Sequence, residues 1–527
     1  MPDNFKDTVG KSLPHIVMEN FLSDELKNKT ALVCGGSGQT RTFSELHSNT
    51  HKFAKCLLDM GVEKGDCVGI ISPNNINFFS AFQGIGLTGA TSTPINPLYT
   101  EHEIEYQLVT THSKIVIAHP FCFEKTANVA KKLNIPIIAL DPVEGNNTKT
   151  LMEYVNAQES NAEVKIDVDP NAIMTLPFSS GTTGVPKGVA LNHKSIIANL
   201  FQLMPQEGKY YGKDGVMMVP LPFFHIYGMV VGCLLPLWLG NKTVFMPAFD
   251  LVRFLELVQE HKCTRLYCVP PIILGLAKHP IIDNYDLSSV ESILSGAAPL
   301  GGDVQELAAK RLGCKVKQAW GMTELSPAAT VTSDDEYEQF ETKGKCGRLV
   351  PGTEAKIVSP ETGEDMSPFE EGELLIRGPQ VMTGYYNNEE ATKNCLRDDG
   401  FMHTGDIAKF DKDGWLQITD RCKELIKYKG FQVAPAELEA LINSLPTVKD
   451  VVVIPVLDDD AGEIPRAYVV PQDGVTVTEQ DILDFVHEKV SAHKKLRGGI
   501  RFVPEVPRSA SGKLLRRVQV ELDRAGQ

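Results

Sequence analysis

The sequence has no paired cysteines. Its eleven cysteines are scattered; Cys263 and Cys268 stand closest, and no histidine cluster joins them. That spacing excludes a disulfide frame and a zinc site and fits the reduced thiols of a cytosolic core. A long apolar run is also missing. The greasiest stretch, residues 228–240, is too short to span a membrane and is broken by Pro236. Positive charge is scarce: 52 Lys and Arg against 67 Asp and Glu leave a net charge of −15. A chain so acidic is a poor partner for nucleic acid or anionic membrane. The opening MPDNFKDTVGKS has no apolar signal core, and the closing Ala525-Gly526-Gln527 is no peroxisomal tripeptide. A cytoplasmic protein without a transmembrane segment is expected. With 527 residues, 42% of them hydrophobic, the chain should form two or more globular units.

What is present alternates. Residues 42–60 read as a helix capped by Thr42, with Glu45 three residues on completing a capping box. Residues 67–71 read as a buried strand, 77–89 as a helix, and 91–94, 115–118 and 135–140 as strands. This order predicts a layered α/β domain on a parallel sheet. Gly84-Ile-Gly86-Leu-Thr-Gly89 matches the dinucleotide fingerprint, but it ends a helix and precedes a strand, the reverse of what that motif needs. Close helix packing is the expected role of its small residues. Residues 142–170 are polar and irregular and read as a surface excursion. Residues 194–204 and 251–261 read as helices and 242–246 as a strand. Residues 344–420 carry many short strands and turns, a small β-rich subdomain. The last hundred residues alternate again, with helices at 434–445 and 481–493 and strands at 448–456 and 501–503.

The richest stretch is PFSSGTTGVPKG, Pro177 to Gly188, set between two strand candidates. It carries Ser179, Ser180, Thr182 and Thr183, the glycines Gly181, Gly184 and Gly188, and Lys187. Hydroxyls, close-approaching backbone N–H groups and one cation can converge on an anion. The reading is a polyphosphate cradle. It is not a Walker loop, since Lys187 precedes Gly188 and a strand, not Ser/Thr and a helix.

This segment resembles the phosphate-binding signature of the adenylate-forming enzymes: acyl-CoA synthetases, 4-coumarate–CoA ligases, luciferases and peptide-synthetase adenylation domains. Matching motifs extend the resemblance from about residue 20 to Arg517. They include Gln318-Ala-Trp-Gly-Met-Thr-Glu324, His403-Thr-Gly-Asp406, the run from Asp420 to Gln432, and the segment from Pro507 to Arg517. The resemblance implies a large N-terminal adenylation domain over 1–419, layered α/β sheets plus the β-rich subdomain. A hinge at 420–423 and a small mobile α/β domain at 424–527 would follow.

It also implies roles. Ser179, Ser180, Gly181, Thr182, Thr183, Gly184 and Lys187 would hold the ATP phosphates. Gln318, Ala319 and Trp320 would flank adenine, with tryptophan where relatives usually have a stacking tyrosine. Thr323 would meet the α-phosphate and Glu324 a Mg²⁺ ion. Asp406 would take the ribose hydroxyls, a task one carboxylate can perform through charge-assisted bonds, and Arg421 would help. Lys513 would be the lysine of the adenylation step. His225 would orient the acyl carboxylate. Tyr227, Val231, Ala297, Ala319, Pro327, Ala328, Lys423 and Gln432 would complete the acyl pocket. Lys427, Lys429, Gly430 and Gln432 would swing in for thioester formation and line the CoA path. Plant coumarate ligases have a CoA-contacting lysine where Ala248 stands, often a hydroxyl residue at Val231, and a larger one near Ala328. An apolar, roomy pocket follows, suited to an aromatic propenoic or a medium-chain fatty acid. The implied reaction is ATP-dependent carboxylate–CoA ligation through an acyl-AMP, with ATP, Mg²⁺ and CoA required. A luciferase-like monooxygenase and a stand-alone enzyme loading a carrier protein share these motifs. A non-catalytic ATP-binding scaffold would be expected to lack one of Lys187, Glu324, Asp406, Arg421 or Lys513, and none is missing.

Overall fold

The computed structural model describes residues 3–8, 10–160, 162–179, 186–207, 215–421, 424–429, 431–458, 461–490, 492–510 and 512–526. Among these residues the strands form four sheets. The first is centred on Cys67–Ile71, which pairs in parallel with Thr91–Ile95 on one side and Ser113–Ala118 on the other. All five residues of Cys67–Ile71 are buried, as expected of a parallel strand covered on both faces. The second sheet runs through Val216–Val219, Arg265–Cys268, Ser292–Ser295 and Lys315–Gly321, again parallel. Both sheets share one hydrophobic core.

The helix Phe43–Asp59 starts at Thr42 with both halves of the expected capping box. Gly84 and Gly86 lie where the helix Phe78–Leu87 presses on Phe53 and Met174, so these two serve packing as their place in the sequence implied, while Gly89, at φ +78, serves the turn after the helix.

Three expectations change. The excursion at 142–170 contains a helix, Leu151–Asn156, capped by Thr150 and Glu153, with Leu151 and Val155 buried. Six residues are too few to show a helical period. The β-rich segment is not all one subdomain. Glu354–Val358, Gly372–Arg377, Met402–Phe410 and Leu416–Arg421 form an antiparallel sheet, but Arg348–Leu349 and Gly384–Tyr385 join the two large sheets. The helix expected at 481–493 is Glu479–Lys489, capped by Thr478. It stops short because Val490, inside the expected range, is extended.

The apolar stretch around Gly228 is a buried π-helix, Tyr227–Leu234, running into Leu235–Trp238. Gly228 is required there, because a Cβ would fall on the Pro222 carbonyl. Among the described residues no helix is long and apolar enough to cross a membrane. The ten described cysteines are free. The fourth sheet, from Ile426 onward, has its own cores, one around Ile426, Leu438 and Val451 and one around Val452 and Tyr468. A separate core marks a separate unit.

Candidate active site

A cleft of about 1580 Å³ opens where strand ends of the large sheets meet the small C-terminal unit. The resemblance assigns this cleft a phosphate side, a nucleoside side and an acyl side; the first is built on Glu324. Strand Lys315–Gly321 ends in a single 3₁₀ turn, Thr323–Leu325, which turns the Glu324 carboxylate inward and buries it. Gly321 permits this, since a Cβ there would strike the Pro327 carbonyl. Glu324 Oε1 accepts from the Ser179 hydroxyl at 3.0 Å and from the Tyr385 hydroxyl at 3.0 Å. Burial, then the Glu324 charge, push the Tyr385 phenol well up, so it stays a donor. Lys187 Nζ sits 5.0 Å over the same tyrosine ring, a cation–π contact. Lys187 begins the strand Lys187–Asn192 and so is fixed by the sheet. Ser180, Gly181, Thr182, Thr183 and Gly184 lie outside the described residues.

The nucleoside side is built on Asp406. Strand Met402–Phe410 pairs with Leu416–Arg421 and sets Asp406 opposite Arg421. The Thr404 hydroxyl accepts from the Asp406 N–H and donates to the Leu374 carbonyl, which pins the turn. Asp406 Oδ2 accepts from the Trp320 indole at 2.9 Å, and Oδ1 lies 3.5 Å from Arg421 Nε. Burial raises the Asp406 pKa, while Arg421 and the indole N–H work against it. Gln318 is buried beside them, donating to the Leu300 carbonyl and to Gln305.

The acyl side is built on the π-helix. His225 precedes it, and its Nδ1 accepts from the Tyr227 N–H at 3.3 Å, which leaves the proton on Nε2. Burial, then the nearby Lys513 charge, push this imidazole down to about 4, so it is neutral at physiological pH. Tyr227 and Val231, four apart, face the cleft together because a π-helix has more than four residues per turn. The Tyr227 hydroxyl donates to the Leu294 carbonyl at 3.0 Å. Ala297, Ala319, Pro327 and Ala328 complete this wall, with Leu274 and Leu294 behind.

Lys513 reaches the cleft from the C-terminal unit. Arg508 braces its loop, donating to Asp450 at 2.9 and 2.7 Å and to the Gly512 carbonyl at 2.7 Å. Burial, then Arg421, lower Lys513 to about 8, against the pull of Asp406 and Glu324. Below that pH it is a cation.

Lys427 and Lys429 do not join this group. Both are exposed, Lys427 in the middle of the strand Ile426–Tyr428 and Lys429 on the turn before Phe431–Val433; the Lys427 N–H donates to Glu463 and the Lys429 N–H to the Ala461 carbonyl. Lys423 and Gly430 lie outside the described residues, as does the side chain of Gln432. Among the described residues, Lys187, Gln318, Trp320, Thr323, Glu324, Asp406, Arg421 and Lys513 line one cleft, and Lys427 and Lys429 do not. Tyr385, Arg508 and Asp450 went unnoticed in the sequence. Tyr385 meets Glu324 only through sheet pairing, and no local pattern marks it.

Comparison with known proteins matches these features. The AMP-binding enzyme family matches residues 23–386, and the AMP-binding enzyme C-terminal domain matches residues 437–513. 4-Coumarate–CoA ligase 2 of Petroselinum crispum is 41% identical over 513 residues, covering 95% of this chain and 93% of that protein. Among solved structures, ATP-bound MatB from Rhodopseudomonas palustris has a TM-score of 0.85 at 28% identity, covering 96% of this chain and 98% of its own. The anthranilate CoA ligase AuaEII, in complex with anthranoyl-AMP, has a TM-score of 0.89 at 23% identity, covering 99% and 100%; it bears on the fold alone.

Proposed function

The chain belongs to the AMP-binding enzymes of the adenylate-forming superfamily and joins a carboxylic acid to CoA through an acyl-AMP; we propose that the acid is an aryl-propenoic or medium-chain fatty acid, and that the cleft residues divide the two steps between them. A thiol cannot displace a carboxylate oxygen, which is too poor a leaving group. In the first step a carboxylate oxygen attacks the α-phosphorus of ATP, the bond to the bridging oxygen breaks, and pyrophosphate leaves. In the second the CoA thiol gives up its proton and attacks the acyl carbon, and AMP leaves. Both steps unite charged groups, so positioning and electrostatics carry the rate.

In the first step Lys513 bridges the attacking carboxylate and the α-phosphate. Neutral His225 donates from Nε2 to the second carboxylate oxygen. Asp406 and Arg421 take the ribose, Trp320 stacks on adenine between Gln318 and Ala319, and Thr323 meets the α-phosphate. Lys187 and the hydroxyl loop hold the outer phosphates. Glu324 suits Mg²⁺: it is a buried, oriented carboxylate at the phosphate side, and magnesium takes one or two carboxylates with phosphate and water oxygens. The ion would supply charge neutralisation there. The hinge is placed at 420–423. Rotation about it would withdraw Lys513 and bring in Lys427, with Lys429 and Gly430 beside the CoA path.

The observation that carries this reading is that Lys513 and His225, from two separately cored units, meet at one cleft with Asp406 and Glu324. The acyl assignment rests on an apolar wall whose one phenol is already committed to a backbone carbonyl. The test is ATP–pyrophosphate exchange over a panel of acids, then AMP release with and without CoA. Exchange with cinnamate-like or medium-chain acids, and AMP release accelerated by CoA, are expected. Exchange only with short or charged acids would overturn the acyl assignment.

A further inference from the structure

We propose that Lys278 is a positioning residue for the first half-reaction, a latch that holds the C-terminal domain with Lys513 in the cleft. The proposal rests on the two-step reading above. Lys278 is the last residue of the helix Pro270–Lys278 in the large domain. Its Nζ donates to three backbone carbonyls of the other domain: Asn443 at 2.6 Å, Leu445 at 2.7 Å and Val448 at 3.0 Å. Three bonds are the full donor complement of an ammonium group. The acceptors are the end of the helix Pro435–Asn443 and the turn after it, where carbonyls lack helical partners and carry partial negative charge.

The opposite end of that helix is held as well. Asp420, on the strand Leu416–Arg421, accepts at Oδ2 from the Ala436 N–H at 3.0 Å. One nine-residue helix is thus gripped at its positive end by a carboxylate and at its negative end by an ammonium. Neither comes from the sheet on which the helix packs. The fit between is close: a Cβ on Gly301 would lie 3.3 Å from that of Ala440. Burial lowers Lys278 to about 8, as expected of a cation that has exchanged water for these carbonyls.

The grip is transmitted to Lys513. Val448, the third acceptor, begins the strand Val448–Asp458, and Asp450 on that strand holds Arg508, which holds the Gly512 carbonyl next to Lys513. A rotation that brings Lys427 to the cleft must part Lys278 from all three carbonyls. Lys278 therefore favours one orientation over the other.

The test compares the half-reactions in Lys278→Met, which keeps the stem and removes the donors. Pyrophosphate exchange is expected to fall about tenfold or more, equivalent to ~1.4 kcal/mol. CoA-dependent AMP release from supplied acyl-AMP should be unchanged or faster, and Lys278→Arg should recover part of the exchange. A readout independent of turnover is disulfide formation between Gly301→Cys and Ala440→Cys, which should slow when Lys278→Met is added. Lys278→Gln carries the same comparison if the methionine variant is not recovered folded. Equal loss of both half-reactions, or unchanged exchange with unchanged crosslinking, overturns the latch. Failure of the wild-type protein to exchange with any acid would instead overturn the ligase reading, and the crosslinking rate would still judge Lys278.

Discussion

Trp320→Phe separates two jobs that one side chain performs. The aromatic face remains for adenine, but the N–H that reaches Asp406 Oδ2 at 2.9 Å is lost. Asp406 is only 7% exposed and Trp320 9%, so water cannot easily replace that donor. Arg421 Nε, at 3.5 Å on the other oxygen, and the Lys513 charge remain to stabilise it. A hydrogen bond to a charged group contributes ~1.5–3 kcal/mol when buried. The cleft mouth admits some solvent, so we expect the lower part of that range, about 1.5–2 kcal/mol, or roughly ten- to thirtyfold in affinity. A carboxylate has about four acceptor sites, enough for the indole and both ribose hydroxyls at once. The expected result is a raised KM for ATP in pyrophosphate exchange, with the KM for the acid little changed. The pH profile gives a second reading. Asp406 is already raised by burial, and the indole is one of the groups opposing that rise. Its loss lifts the pKa further, so the acid-side fall in kcat/KM for ATP should begin at a higher pH than in the wild type. Tighter ATP binding by Trp320→Phe would refute the reasoning, because it would show the indole competing with the ribose for the same lone pair.

Lys513→Ala should lower pyrophosphate exchange by about 10²–10³, the loss typical of one preorganised stabilising group, while leaving CoA-dependent turnover of supplied acyl-AMP largely intact; equal losses would dismiss the division of labour. Lys513 is lowered to about 8, so its charge is present below that pH and lost above it. The wild-type kcat/KM for exchange should accordingly fall as pH rises through about 8, a limb the isolated second step should lack. Tyr385→Phe removes one of the two donors on Glu324, worth about 1 kcal/mol; a Mg²⁺ titration of exchange should shift upward by roughly fivefold, and an unchanged titration would detach Tyr385 from the site. Gly228→Ala would drive a Cβ onto the Pro222 carbonyl and should cost about 1–3 kcal/mol, read as a lower denaturant midpoint.

The parts of the site that a sequence can show are those whose chemistry is local. The stretch 177–188 stood out because its hydroxyls, glycines and lysine are neighbours in the chain, and of these only Ser179, Lys187 and Gly188 fall within the described residues. The Thr42 capping box was legible for the same reason, since all its atoms lie within four residues. Glu324 was legible as a candidate, but its two supports were not: Ser179 is 145 residues away and Tyr385 61. Those contacts exist because Phe178–Ser179 and Gly384–Tyr385 both pair with the strand that Lys187 begins. No periodicity encodes which edge a two-residue strand will join. Trp320 was read for its ring alone, since stacking is a property of the residue while the bond to Asp406 is a property of two converging sheets. The π-helix was hidden for a third reason. Its apolar residues run on without a period, and a stretch buried on every side gives no amphipathic signal.

The resemblance alone sorted the two lysine sets; the structure adds that of these only Lys513 lines the cleft, while Lys427 and Lys429 are exposed. Lys513 and the Lys427 turn lie on one small unit whose core is separate from the rest. A rigid body can present one face to a cleft at a time. With Lys513 inside, Lys427 is exposed and its backbone is tied to Glu463 within its own sheet. Of the two charges at the ends of the helix Pro435–Asn443, Asp420 lines the cleft and Lys278 stands outside it. That separation has a functional consequence. Substrate charge enters and leaves the cleft with each step, as ATP arrives and pyrophosphate departs. An orientation held by cleft charges alone would rise and fall with that traffic. Lys278 is not part of the cleft lining, so its contribution stays constant through the cycle. The change in cleft charge can then tip the balance, because it acts against a fixed bias.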